Sequence, residues 1–234
     1  MAIEKCYSNN RTTRITSLVK EGEQMSVPDK SIDPRLLAAA REEFLKNGFD
    51  RSSLAEICRQ AGVTTGALYK RYSGKEDLFY SLVCDTIRDL ESYVLEIERK
   101  DLTKCTDQEI YDTFSMPSEI NRRWLEFLYE HKVGLTLLIR CSAGSRFSDF
   151  HHDWANTMNR LDYRHYLEAR RRGLTTKSVS EDELHILTYA VWALFYEPFF
   201  YDLTREQILS HAETIHNFLD WHKALGLKNP KDNG

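Results

Sequence analysis

Between Ser53 and Lys75 the chain gathers hydrogen-bond donors and cations with no base or metal-ligand set beside them. The residues are Ser53, Thr64, Thr65, Tyr69, Lys70, Arg71 and Lys75. Three hydroxyls, a phenol and three cations suit phosphodiester oxygens, which accept from Ser, Thr, Tyr, Lys and Arg. Thr65, Gly66 and Ala67 open the segment in which side chains would reach base edges. Gly66 and Ala67 bring no hydrogen-bonding side chain, so they would permit close approach and methyl contact with thymine. Lys70 or Arg71 is the alternative base reader, and a solvated surface cation is the plain alternative for each charged group.

Other chemistries find less support. His151-His152-Asp153 is the tempting metal cluster, but neighbours on a helix diverge by about 100°. His211 and His216 are five apart, which is poor for one ion. The cysteines at 6, 58, 84, 105 and 141 form no CxxC pair, and Cys58 and Cys84, set among apolar neighbours, read as small buried thiols. A redox-sensing thiol is the alternative. No nucleophile elbow, phosphate loop or dinucleotide fingerprint occurs. No cofactor, metal or catalytic residue is expected.

The elements needed to present the donor cluster are legible nearby. Ser53 with Glu56 three residues on reads as a capping box, starting a helix at Leu54. Leu54, Ile57, Cys58 and Ala61 share one face. Gly62 is placed to take the positive φ that ends such a helix. Thr64 then caps a second helix, with Leu68 and Tyr72 inward and Thr65, Gly66, Ala67, Tyr69, Lys70 and Arg71 outward. Ser73-Gly74 breaks the chain, and Lys75 opens a third helix whose N-terminus favours anions. This is a helix-turn-helix layout.

The register is also specific. Ala40, Phe44, Gly48 and Phe49 precede Ile57, Ala61-Gly62-Val63, Thr64, Gly66-Ala67-Leu68-Tyr69, Tyr72 and Lys75-Glu76-Asp77-Leu78-Phe79. Over residues 33–80 this resembles the DNA-binding domain of the TetR family of bacterial repressors. Lys70-Arg71 departs from the pattern, where relatives often carry aromatics or His, and leaves the target sequence open. The resemblance implies an all-α chain: a three-helix DNA-binding domain over 31–80 and a helical ligand-binding and dimerisation domain over 81–228. It implies a homodimer formed through the last two helices, about 181–198 and 204–224, on a palindromic operator. Leu187, Ala190, Val191, Leu194, Ile208, Ala212, Ile215 and Leu219 would supply the apolar faces, unless these are ordinary core stripes. The implied role is a ligand-responsive transcriptional regulator, a repressor released by a small apolar or aromatic effector. The alternative is an all-helical enzyme or ligand-binding module without DNA binding.

Charge fits this division. The net charge is −4. Residues 28–80 hold nine Lys/Arg against eight Asp/Glu, and 81–234 hold nineteen against twenty-five. The acid therefore sits away from the reader, where a local basic patch still binds phosphate. No apolar run is long enough to span a membrane and no signal pattern opens the chain, so a cytoplasmic protein is expected. Residues 1–30 read as a disordered or frayed extension, or as a basic arm touching DNA, and 229–234 as a tail.

Beyond residue 80 the 3.6-residue apolar period predicts helices over 75–100, 118–130, 132–142, 146–172, 181–195 and 204–224, with a short one opened by Thr106. Seventeen of the twenty-seven aromatics follow residue 120, so an aromatic-lined cavity between helices is expected. Trp124, Phe127, Phe150, Trp154, Tyr166, Trp192 and Tyr196 are its candidate lining, against the plain alternative that they pack the core.

Overall fold

A computed structural model describes residues 34–201 and 203–233. The expected extension over 1–30 lies outside them. The described residues form eleven α-helices and short 3-10 turns, with no strand among them. The chain is all-α, with an N-terminal helix-turn-helix domain and a helical C-terminal domain.

Helix α1 spans Pro34–Arg51, α2 Leu54–Ala61 and α3 Thr65–Tyr69. These three make the head. Helix α4, Lys75–Arg99, is 25 residues long and runs from the head into the body. Its buried positions, Leu78, Phe79, Val83, Ile87, Leu90 and Val94, recur at three and four residues, so one stripe meets the core along its length. The body adds α5 (Asp107–Asp112), α6 (Ser118–Glu130), α7 (Lys132–Arg140), α8 (Phe150–Arg171), α9 (Glu181–Tyr196), α10 (Arg205–Phe218) and α11 (Trp221–Leu225). Helix α8 packs on α9, and α10 packs on α6.

Local chemistry sets these boundaries. Thr106, Ser180 and Thr204 each cap a helix, and Glu109, Glu183 and Gln207 reach back to the capping residue. Helix α8 starts at Phe150 rather than Arg146 because the preceding stretch is a run of tight turns: Ser148 N–H donates to the Ser145 carbonyl (3.2 Å) and Phe150 N–H to the Phe147 carbonyl (3.0 Å). The helix expected to run to Ala224 stops at Phe218. Leu219 is extended (φ −139°), and the Asp220 carboxylate accepts from Lys223 N–H (3.0 Å) to cap α11. The break turns Trp221 inward, where its Nε1–H meets Met116 Sδ at 2.9 Å. Residues 230–233, expected as a tail, form a 3-10 turn against α5.

Head and body share one core. Phe79 packs against Phe44, Phe49 and Phe147, with centroids 5.1–6.1 Å apart. Phe49 N–H donates to the Cys141 carbonyl at 2.7 Å. Helix α7 crosses α4 so closely at Gly134 that a Cβ there would lie 2.1 Å from Thr86 Oγ1. At the far end of α4, Arg164 from α8 donates to the carbonyls of Ile97 (2.9 Å), Glu98 (3.0 Å) and Lys100 (3.3 Å). A cation there satisfies terminal carbonyls and opposes the helix dipole.

Candidate functional site

Two features stand out: an exposed face on the head and a polar-floored cavity in the body. In the head, Ser53 caps α2 by accepting Glu56 N–H, but the expected capping box is half formed. Glu56 turns to Arg59 (2.6 and 2.8 Å) and Gln60 (2.8 Å) instead. The Arg59 guanidinium leads in holding its carboxyl down to about 2. Ser53 N–H is served by Glu43 Oε1 at 3.3 Å. Gly62 takes φ +66°, which closes the turn. Thr64 Oγ1 accepts from Ala67 N–H at 3.1 Å and starts α3.

Leu68 and Tyr72 are buried beneath α3, which fixes what faces out. Thr64, Thr65, Gly66, Tyr69, Lys70 and Arg71 are exposed, Tyr69 to 58%. Ala67, expected outward, is half-buried. Helix α3 ends at Tyr69, so Lys70 and Arg71 stand on the turn after it. Lys75 is placed differently from the sequence expectation. Its Nζ donates to the Asp50 carbonyl (3.0 Å) and the Ser52 carbonyl (3.2 Å), 4.6 Å above the Phe49 ring. The half-buried ammonium ties α4 to the end of α1, leaving at most one N–H for an anion.

In the body a cavity of about 130 Å³ lies among α4, α6, α8, α9 and α11. A groove of about 280 Å³ shares its Tyr93, Ile120 and Trp124 walls and adds Phe127 and Arg123. Trp124 meets Tyr93 and Trp192 edge-to-face, at 4.4 and 5.5 Å. The floor is polar. Asn121 is fully buried, and its Nδ2 donates to the carbonyls of Met116 (3.0 Å) and Ala212 (3.3 Å), while its Oδ1 has no partner. Thr188 is buried, and its hydroxyl lies beside the Asp162 carboxyl. Burial pushes the Asp162 carboxyl up to about 7, a shift that a weak contact with Thr188 partly offsets.

A model of the bacterial regulatory proteins of the tetR family matches residues 36–82. The HTH-type transcriptional repressor BepR of Brucella suis is 38% identical over 66 residues, 28% of this chain and 32% of that protein. The head therefore resembles the DNA-binding domain of that family over residues 36–82. The HTH-type transcriptional regulator UidR of Escherichia coli is 39% identical over 49 residues, 21% of this chain and 25% of that one. The chain thus spans between about a quarter and under half the length of the curated relatives it matches. A solved TetR-family regulator of Streptomyces coelicolor superposes with a TM-score of 0.51 at 18% identity, covering 79% of this chain and 90% of that one. That likeness is one of fold.

In the body the structure sorts the expected pocket residues. Trp124 and Trp192 line the main cavity, and Phe127 lines the adjoining groove. Phe150, Trp154 and Tyr196 surround a separate space of about 20 Å³, room for roughly one water. Tyr166 is buried and structural: its hydroxyl donates to the Lys177 carbonyl (2.6 Å) and accepts from Val179 N–H (2.8 Å). Sequence reasoning missed Tyr93, Asn121, Asp162, Thr188 and Trp221. One signal was available, since Asp162 stands one turn beyond Met158 inside the apolar stripe of α8. Cys58 is buried as expected, whereas Cys84 is half-buried, and burial raises both thiols. No helix among the described residues is long and apolar enough to cross a membrane.

Proposed function

We propose that this chain is a ligand-responsive transcriptional repressor that binds a palindromic operator as a homodimer and is released by a small effector in the α4–α6–α8–α9 cavity. The observation that carries the reading is the pairing of the exposed Thr64–Arg71 face with that cavity through one continuous helix. Tyr93 of α4 forms part of the cavity wall, and Lys75 of α4 anchors the head. Eighteen residues separate them, about 27 Å of helix. An effector that moves α4 would change how the head meets DNA, which is a coupling of two sites worth about 1–3 kcal/mol.

Thr65 and Tyr69, with Lys70 and Arg71 on the following turn, are the proposed groove and phosphate contacts. Ser53 and Thr64 add hydroxyls at two helix starts. Gly66 and Ala67 allow the backbone to approach. Lys75 acts mainly by holding the head in place. For the dimer, α9 supplies Ile186 (67% exposed) and Ala190, with half-buried Ala193 along the same stripe. Helix α10 contributes differently from the sequence expectation. Ile208, Ala212 and Ile215 are buried within the subunit, where α10 packs on α6. The proposed contact is therefore centred on α9 and extends to the polar outer side of α10. The test is selection of bound duplexes from a random pool, followed by sizing of the complex. Enrichment of a two-half-site sequence bound by two chains supports the reading; no enrichment at low salt refutes it.

A further inference from the structure

The floor of the cavity, Asn121, Asp162 and Thr188, is rich in hydrogen-bond acceptors. Asn121 lines this space, and its Oδ1 has no partner while its amide nitrogen is spent on two carbonyls. The Asp162 carboxyl lines the same cavity, and the Thr188 hydroxyl lies close to it. Among the described residues no Lys, Arg or His lines this cavity, and Arg123 of the adjoining groove is paired with Glu119 at 3.3 Å. The remaining walls include Tyr93, Trp124 and Trp192, rings whose π-systems attract cations. Buried acceptors without partners are costly, so an occupant that brings N–H donors and positive charge would relieve the site. The volume suits one ring: an apolar cavity of about 150 Å³ holds benzene. The adjoining groove leaves room for a tail.

We propose that the effector is a small organic cation, a primary amine or amidine on an aromatic or alicyclic body. Its nitrogen lies against Asp162, Asn121 and Thr188, and its ring lies among Tyr93, Trp124 and Trp192. This rests on the effector role of the cavity, but it is tested without DNA. An ammonium there keeps Asp162 ionised, so binding releases the proton that the empty site holds near neutral pH. The facing groups from the other elements do not compete. Tyr93 is pushed further up by burial, and Asn121, Thr188 and Trp221 do not titrate in this range. His165, one turn along α8, is pushed down by burial and stays neutral above its usual range.

Trp124, Trp192 and Trp221 line the cavity, so tryptophan fluorescence of the full chain reads occupancy. The probes are phenethylamine, benzamidine, 2-phenylethanol and phenylacetate. Phenethylamine should bind at least about 10-fold tighter than 2-phenylethanol, the margin of a charge-assisted hydrogen bond, and phenylacetate weakest. Asp162→Asn should erase that preference while leaving 2-phenylethanol little changed. The unaltered chain carries an independent readout: phenethylamine affinity should rise from about pH 6 to 8, where the amine stays charged, while that of 2-phenylethanol stays flat. Equal or tighter binding of 2-phenylethanol or phenylacetate, no binding of either cation, or a flat phenethylamine profile overturns the proposal. Loss of operator binding with the cation preference intact would instead sink the regulatory reading and spare this one.

Discussion

The crossing of α4 and α7 at Gly134 yields a double-mutant test of how head and body are joined. In Gly134→Ala the new methyl would sit 2.1 Å from Thr86 Oγ1 and 3.0 Å from Thr86 Cβ, where about 3.4 Å or more is ordinary contact. Thr86 is buried and stiff at χ1, so the helices must part by roughly an ångström. Overpacking of this kind costs about 1–3 kcal/mol. The better helix propensity of alanine returns about 0.8–1, and an overlap as severe as this one belongs at the upper end, a net loss of about 2 kcal/mol. For a chain of this size that is roughly 4–8 °C in Tm. Thr86→Ala removes the worst overlap, so the double variant Thr86→Ala/Gly134→Ala should recover most of the loss. Urea unfolding of the four proteins closes the cycle, and the coupling should reach about 1 kcal/mol. A Gly134→Ala protein as stable as the parent, or a double variant no better than the sum of the singles, would show that the two helices do not meet as described.

Tyr69→Ala should weaken operator binding by about tenfold, the scale of a lost hydrogen bond, with the melting temperature unchanged, as read by DNA titration beside a thermal melt. Lys75→Met should keep the stem over Phe49 but lose two hydrogen bonds from a charged group, lowering stability by about 1–3 kcal/mol in urea. DNA affinity would fall through the loosened head, and a stability unchanged in urea would return Lys75 to the role of a phosphate contact. Ser180→Ala removes the hydroxyl that accepts from Glu183 N–H, leaves the backbone N–H that donates to Glu183 Oε2, and should cost about 1 kcal/mol; no loss in urea would count against the cap. The empty protein should be more stable near pH 5 than near pH 8. Burial raises Asp162 and Glu91 to about 7. Stability from such groups is full below the unfolded carboxyl range and is lost as pH climbs through the folded value. The drop should be on the order of 2 kcal/mol for each group, and Asp162→Asn should remove its own share and leave that of Glu91 in chemical unfolding at both pH values.

The head was legible because its signals are local. Gly62, Thr64 and the Leu68/Tyr72 pair act within one or two turns, so spacing alone fixes which side of α3 faces out. The role of Lys75 was not legible: the carbonyls it binds, at Asp50 and Ser52, lie more than twenty residues upstream and are aimed by the end of α1. The cavity was harder still. Asn121, Asp162 and Thr188 come from three helices, and each alone is one polar residue in an apolar stripe. Aromatic content misled at Tyr166, Trp154 and Tyr196, because large rings fill cores as readily as they line ligand sites. Helix α10 showed the same ambiguity: a period of 3.6 marks a buried face without saying whether the covering surface belongs to the same subunit. The break at Leu219–Asp220 had a signal, Asp220 with Lys223 three on, but the continuing apolar period masked it.

Arg164 holds the last carbonyls of α4 from a helix in the body, which makes that end a fulcrum. Tyr93 lies six residues from Arg99, about 9 Å along the axis, and Lys75 lies twenty-four residues away, about 36 Å. Tilting about the pinned end multiplies travel by the ratio of those arms, roughly fourfold. A ring displaced by about 0.8 Å at Tyr93 would swing the other tip by about 3 Å, close to the rise of one base pair. A cavity sized for a single ring would then suffice to spoil the spacing of two paired heads on a duplex.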